Sequence, residues 1–223
     1  MGITLTPYKI CSFNCVYCQL GETTEKTIER KEYILVQEII NELKSWFENN
    51  SSEAKDLNYI TLSGAGEPTL NIKIDQLIAQ IKKITAIPVA VITNASLLNA
   101  VLVRQALLGT DLIVPSLDAA TPEVFQKIDQ PKEDIKIEAV INGLIELRKE
   151  FKGKIWLEVM LVEGINDNLA HIRKLKDIID KIGPDRIQLN SPVRVTAEKN
   201  ILAINKKKLE KIKQILGDKC EII

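Results

Sequence analysis

Three cysteines lie close together near the N-terminus of this 223-residue chain, in the segment Cys11-Ser12-Phe13-Asn14-Cys15-Val16-Tyr17-Cys18. Their spacing places three possible thiolate ligands on one short loop. Three cysteines so close in sequence do not form an ordinary disulfide framework, so the segment indicates a metal site in a reducing compartment. A 4Fe-4S cluster normally takes four thiolates, and three of them leave one iron open to another ligand.

A glycine-rich turn follows later in the chain, in the run Gly64-Ala65-Gly66-Glu67-Pro68. Glycines let the backbone of a turn approach a ligand closely, and the amides and carbonyls of such a turn can bind a polar head group. Other candidate residues lie within or just after the apolar runs that predict strands, and a barrel would direct them into its cavity. They are Asn94, Ser116, Asp118, Glu158, Met160, Gln188 and Asn190.

The cysteine spacing directly after a first apolar strand resembles that of the radical S-adenosylmethionine (SAM) superfamily, and the aromatic Tyr17 before the third cysteine also matches. The resemblance implies that Cys11, Cys15 and Cys18 bind a 4Fe-4S cluster whose fourth iron chelates the amino and carboxylate groups of SAM. It also implies that Tyr17 lies against the adenine of SAM.

The same resemblance assigns a role to the glycine turn, which matches the turn that binds the SAM amino group. Ser116 and Asp118 correspond to the polar residues that hold the ribose hydroxyls, and residues 164–166 resemble the segment that supports the adenine. The cofactor-binding residues predicted in this way are Tyr17, Gly64, Gly66, Glu67, Pro68, Asn94, Ser116, Asp118 and Asn190.

The activity that the resemblance implies is reductive cleavage of SAM to a 5'-deoxyadenosyl radical, which abstracts a hydrogen atom from an unidentified substrate. The electron would come from an external donor of the flavodoxin or ferredoxin type. The protein would contribute ligands, orientation and exclusion of water, while the cofactors supply the difficult step.

Within the superfamily, residues 63–70, 91–94 and 115–131 resemble small proteins related to the archaeal wyosine-forming tRNA enzyme. That enzyme carries a second cluster on upstream cysteines, which this sequence lacks, and its relatives have a basic stretch before the first strand. An N-terminal extension therefore stays an open question. Nucleic acid is an alternative substrate but is not favoured, because 30 basic and 30 acidic residues give a net charge of zero.

The elements that position these residues alternate between apolar β-rich runs and helical periodicity, which predicts an α/β fold with a parallel sheet. Six strands are expected, at 3–5, 59–62, 89–92, 112–114, 155–162 and 186–189. A last helix at 206–216 and a possible short strand at 221–223 follow. Six strands are too few for a closed eight-stranded barrel, so the sequence predicts an open, partial (β/α)6 barrel with its site at the C-terminal strand ends.

Composition sets further limits. The chain is 45% hydrophobic and 27% charged, which is typical of a globular protein, and its length fits one radical SAM core domain over residues 1–223. We expect it to be cytoplasmic and without a membrane partner, because no apolar run approaches the roughly 20 residues of a membrane span and no signal peptide is evident. His171 and the lysines of 206–213 are interpreted as solvated side chains.

Two readings without catalysis stay open at this point. One is a zinc-stabilised binding module in which Cys220 completes a four-cysteine site, although zinc sites more often pair two short dyads. The other is an iron-sulfur electron carrier, which would not need the turn at 64–68.

Overall fold

The computed structural model describes residues 1–223, in which seven strands of one sheet alternate with helices. The strands are β1 (Gly2–Thr4), β2 (Ile60–Ser63), β3 (Val89–Thr93), β4 (Leu112–Pro115), β5 (Lys154–Met160), β6 (Arg186–Asn190) and β7 (Cys220–Ile222). The helices are α1 (Val36–Asn49), α2 (Ile74–Ile84), α3 (Val101–Leu107), α4 (Pro122–Ile128), α5 (Ile137–Glu150), α6 (Leu169–Ile182) and α7 (Lys206–Leu216).

Strand order in the sheet follows strand order in the chain, and every neighbouring pair is parallel. The first and last strands do not pair with each other, so the sheet is open along one side. The prediction of an open parallel partial barrel is therefore confirmed. The strand count is seven rather than six, because the C-terminal segment forms β7 and pairs Cys220 with Ile187 of β6.

The two faces of the sheet differ in burial, as β5 illustrates. Ile155, Leu157 and Val159 are fully buried in a core cluster of 47 residues that the helices share. The alternate residues Trp156 and Glu158 are only partly buried and point to the opposite, concave side. We call that side the inner face of the sheet. Because the strands are parallel, their C-terminal ends all lie at one edge of this face.

The environment of the single histidine differs from the one predicted from the sequence. His171 is only 4% exposed, and its Nε2 has no hydrogen-bond partner. The prediction of a solvated side chain is wrong because His171 stands four residues before Leu175, within the apolar stripe of α6. In α7, by contrast, Leu209, Ile212 and Leu216 are buried and the lysines lie on the exposed or half-exposed side, as predicted.

No helix in residues 1–223 combines the length and apolar character that crossing a bilayer would require.

Candidate functional site

The cysteine loop begins beyond the C-terminal end of β1 and is held in place by backbone hydrogen bonds from several distant segments. Ile10–Cys11 pairs in parallel with Glu25–Lys26 in a small second sheet. The amides of Asn14 and Val16 donate to the carbonyls of Asp129 and Ile128 at the end of α4, both at 3.0 Å. The loop geometry is thus set by contacts with the barrel as well as by its own sequence.

The glycine turn packs directly against the cysteine loop. At both of its glycines a larger side chain would clash with neighbouring atoms. A Cβ on Gly66 would lie 1.8 Å from the carbonyl oxygen of Ile10, which precedes the first cysteine. Gly64 has φ +112°, and its Cβ would lie 2.3 Å from Oγ1 of Thr4. The amide of Glu67 also donates to the carbonyl of Ile10 at 3.2 Å. The turn and the loop therefore form one unit.

Glu67 lies beneath this turn rather than on its surface. It is 2% exposed, and its Oε1 accepts hydrogen bonds from the amide of Thr69 at 3.0 Å and from the hydroxyls of Thr69 and Thr93 at 2.6 and 2.7 Å. Its Oε2 accepts from the amide of Asn94 at 2.7 Å. Both carboxylate oxygens accept hydrogen bonds from the protein, so Glu67 positions the turn and the end of β3. Its contact with SAM stays a prediction. Pro68 is buried beside it at the start of a 3-10 turn.

Asn94, at the end of β3, faces the cysteine loop. Its Nδ2 donates to Oγ of Ser12 at 2.9 Å and lies 3.5 Å from Sγ of Cys11. The hydroxyl of Ser12 is also 2.6 Å from that of Ser96, and both serines are buried. These contacts link the first cysteine to the third strand. Sequence reasoning missed both serines, because a single buried hydroxyl leaves no pattern.

Tyr17, Asn94, Ser116 and Asp118 line one small, enclosed cavity of about 10 Å³ between the cysteine loop and the ends of β3 and β4. The hydroxyl of Tyr17 donates to Oδ2 of Asp118, whose Oδ1 accepts from the amide of Met160 at 2.7 Å. The structure thus brings these four predicted residues together. The Asp118 carboxylate is 2% exposed and is engaged on both oxygens.

Asp129 is a neighbour of Asp118 that sequence reasoning missed. Its Oδ1 lies 3.5 Å from Sγ of Cys15, and the residue is 3% exposed. Burial raises the pKa of Asp118 to about 7. Burial first, and then the charge of Asp118, raise the pKa of Asp129 well above its ordinary value. Two buried carboxyl groups so close together favour the protonated form of at least one of them.

This carboxyl pair predicts a pH dependence of stability. Because folding raises both pKa values, the pair stabilises the fold fully below pH 4 and progressively less as the pH rises to 7 and beyond. Replacing Asp129 by Asn should therefore reduce the loss of unfolding free energy between pH 5 and pH 8 by at least about 1.4 kcal/mol. Urea unfolding of the metal-free chain at both pH values measures this difference.

The control for that measurement is Asp134→Asn, since the Asp134 side chain is 69% exposed. Its pH profile should match that of the unmodified chain. A profile of the Asp129 variant that also matches it would contradict the assignment of a buried, protonated pair.

Asn190 lies farther along the same edge, at the end of β6. Its Oδ1 accepts from the amide of Ser191 at 2.8 Å, and its Nδ2 lies 3.4 Å from Oε1 of Glu158. Asn190 is therefore associated with the inner face of β5 and β6, and it does not line the small cavity that contains Asp118.

The donor set at the loop fits an iron-sulfur cluster. Cys11, Cys15 and Cys18 are free and partly buried. Burial raises the pKa of the Cys11 thiol to about 11 and that of Cys15 well above its ordinary value, so thiolates here require compensating positive charge such as iron supplies. No three His, Cys, Asp or Glu side chains converge on one point as a single ion would require. A cluster instead offers a separate iron to each thiolate.

The position of the fourth cysteine excludes the zinc alternative. Cys220 begins β7 and pairs with Ile187 near the N-terminal end of β6, whereas the cysteine loop follows the C-terminal end of β1. Because the strands are parallel, these positions lie at opposite ends of the sheet. Cys220 is therefore unable to complete a site with the other three cysteines.

Comparison with protein families gives a match over residues 5–175 to the radical SAM superfamily, which is more than half of the chain. The chain belongs to the radical SAM superfamily. It is therefore an enzyme of the radical SAM type, and the family in general implies SAM and a 4Fe-4S cluster. The prediction of a radical SAM protein, made from the cysteine spacing, is confirmed.

Among curated proteins, this radical SAM chain is 44% identical over 222 residues to a protein named GTPase Obg from Brachyspira hyodysenteriae, and it spans 32% of that protein. It is 33% identical over 223 residues to a UPF0026 protein of Methanocaldococcus jannaschii, spanning 68% of it. A probable GTP 3',8-cyclase of Saccharolobus islandicus is 29% identical over 191 residues, 80% of this chain and 57% of that protein. The chain thus spans from a third to two thirds of these relatives.

Among solved structures, a radical SAM methyltransferase from Sphaerobacter thermophilus aligns with a TM-score of 0.76 and 17% identity, covering 99% of this chain and 64% of that one. The structure of TYW1 with a lysine-pyruvate adduct aligns with a TM-score of 0.65 and 22% identity, covering 96% and 72%. At these identities the likeness concerns the fold alone. The predicted relation to the wyosine-forming enzyme is supported here only by the fold that this chain shares with TYW1.

Proposed function

We propose that this radical SAM chain binds a 4Fe-4S cluster through Cys11, Cys15 and Cys18, binds SAM beside it, and starts radical chemistry on an unidentified substrate. When bound, the reduced cluster would supply the electron that cleaves SAM to methionine and a 5'-deoxyadenosyl radical, which abstracts hydrogen from that substrate. The observation that carries the proposal is the packing of Gly66 against Ile10, because it places the glycine turn directly against the cluster-binding loop.

In this proposal the backbone of the turn from Gly64 to Pro68 binds the amino group of SAM. Glu67 acts beneath the turn by fixing its shape through Thr69 and by holding the end of β3 through Thr93. Such positioning is valuable because alignment of reacting groups contributes several kcal/mol to catalysis.

Tyr17, Ser116 and Asp118 are proposed to hold the adenine and ribose of SAM. Their position around one small cavity supports this proposal, and both oxygens of Asp118 already accept hydrogen bonds. A ribose hydroxyl would therefore share an oxygen of Asp118 with one of these donors or replace the hydroxyl of Tyr17. Asn94 is proposed to reach SAM from the same position in which it supports Ser12.

We also propose an external electron donor of the flavodoxin or ferredoxin type. The cysteine loop lies near the protein surface, since Cys18 is half-buried and Leu20 is 37% exposed two residues later. Tyr8, on the other side of the loop, is 62% exposed. A small redox protein docked on this surface would approach the cluster-binding loop closely.

The proposal does not extend to tRNA. The chain carries equal numbers of acidic and basic residues, and the lysine-rich helix α7 already uses Lys208 in an ion pair with Asp167. A tRNA enzyme would need a basic surface that neutralises several phosphates. The activity named for the GTP 3',8-cyclase relative is likewise not assigned to this chain.

The test is anaerobic reconstitution with iron and sulfide, followed by reduction in the presence of SAM. We expect about four irons per chain, a visible spectrum typical of a 4Fe-4S cluster, and slow release of 5'-deoxyadenosine. A cluster that forms but leaves SAM intact would favour the electron carrier, and absence of iron would refute the proposal.

A further inference from the structure

An open cavity of about 320 Å³ lies on the inner face of the sheet. None of the residues proposed to bind SAM lines it. The cavity has an aromatic floor, an apolar wall and a polar row above them. It is lined by Tyr59, Thr61, Ala90, Ile92, Leu112, Val114, Trp156, Glu158, Gln188 and Ile223.

The floor of this cavity is aromatic, and its charges are balanced. Tyr59 and Trp156 meet edge to face with their ring centroids 6.3 Å apart. The guanidinium of Arg186 lies 4.5 Å above the Trp156 ring and forms an ion pair with Glu221 at 2.8 Å. The one cation at the floor is thus already paired with a carboxylate, so it does not attract an anionic ligand strongly.

Glu158 lies higher on β5, in a row with two polar neighbours. A parallel bridge connects it to Ser116 on one side, and it stands opposite Gln188 of β6 on the other. Its carboxylate has no ion-pair partner within 4.0 Å, and its one hydrogen bond is a long one of 3.4 Å from Asn190. Burial raises the pKa of Glu158.

A half-buried carboxylate without a nearby cation is stabilised by a ligand that supplies the missing charge. The cavity around Glu158 is open, and its wall offers the apolar side chains of Ile92 and Val114. Ile92 is 38% exposed although it lies in the middle of the sheet. The cavity therefore suits a molecule with an apolar body and a positively charged head.

We propose that Glu158, with Gln188 beside it, binds a cationic nitrogen of the substrate, a primary amine or a guanidinium, while the apolar part of that molecule lies on Ile92 and Val114. The inference rests on the proposed radical SAM function, since it names the substrate class of the same active site. The row that contains Glu158 ends next to Ser116, so the bound molecule lies beside the residues proposed for SAM.

The test uses two probes with the same body and opposite charges, 3-phenylpropylamine and 3-phenylpropionate. Their dissociation constants for the reconstituted protein with SAM bound are measured by ligand-observed NMR. We expect the amine to bind at least about tenfold more tightly than the acid, because a hydrogen bond to a charged group contributes about 1.5–3 kcal/mol. In Glu158→Gln this preference should disappear.

Two further variants separate recognition from folding. Glu158→Asp retains the charge and should restore most of the preference for the amine, whereas Glu163→Gln changes an exposed carboxylate outside the cavity and should leave both dissociation constants unchanged. An amine preference below tenfold in the unmodified protein would overturn the proposal. The same holds if Glu158→Gln leaves amine binding intact and weakens SAM binding instead, or if GTP binds in this cavity more tightly than the amine.

Iron content and SAM cleavage are measured on the unmodified protein in the same preparation. A protein that holds the cluster and cleaves SAM but does not distinguish the probes refutes this inference alone. A protein without cluster or SAM cleavage refutes the proposed function instead.

Discussion

Reconstituted protein carrying Cys15→Ala is expected to hold no stable cluster and to release no 5'-deoxyadenosine above background. The loop supplies three thiols, and removing one leaves two protein ligands for a cluster that already lacks the usual fourth. Cys15 is also the thiol next to Asp129, so its loss leaves a buried carboxyl group beside an incomplete site. Iron, sulfide and visible absorption are measured after anaerobic reconstitution, followed by the SAM cleavage assay.

Cys220→Ala is the matched control, because it removes a cysteine at the opposite end of the sheet. It should keep the full iron content and the same SAM cleavage, with only the stability loss of a buried side chain. Iron retained by Cys15→Ala, or lost by Cys220→Ala, would disprove the three-ligand assignment.

The second large effect is expected for Gly66→Ala, which adds a single methyl group. Its Cβ would lie 1.8 Å from the Ile10 carbonyl oxygen and 2.6 Å from Oγ1 of Thr6, so the backbone next to Cys11 must move. Overpacking of this kind costs about 1–3 kcal/mol or more of unfolding free energy. We also expect loss of most of the reconstituted iron and of SAM cleavage, because the shift displaces the first cysteine together with the turn.

Gly109→Ala provides the comparison for this variant. The nearest atom to a Cβ at that position is Cγ2 of Ile78 at 3.4 Å, and the residue has no positive φ. Its unfolding free energy in urea should stay within about 0.5 kcal/mol of the unmodified value, with full iron content. Equal iron content in the two variants would argue against a coupled turn and loop.

Much of the fold could be predicted because the signals were local and periodic. The last helix was predicted at 206–216 and is observed at Lys206–Leu216, and the six predicted strands occur with ends shifted by at most two residues. The seventh strand was only suspected, since a short apolar segment after a glycine carries little periodic information. Its place in the sheet comes from pairing with β6, a contact that no local pattern encodes.

Only part of the candidate site could be predicted from the sequence. Short-range spacing identified the cysteines and the glycines, because close backbone approach demands those residue types. The hydrogen bonds of Glu67 were not predictable, since no local pattern shows that Thr69 and Thr93 donate to its carboxylate. Asp129 was missed because its partner Cys15 is 114 residues away in the chain.

The anchoring of the cysteine loop also bears on how the protein is made. The cysteines precede most of the barrel in the chain, yet their backbone partners reach from Glu67 through Asp129 to Glu198, whose amide donates to the carbonyl of Val16 at 3.1 Å. A nascent chain therefore displays three reactive thiols long before the frame that shapes them exists. If the loop binds a cluster as proposed, we expect the site to form only after nearly the whole barrel has been synthesised.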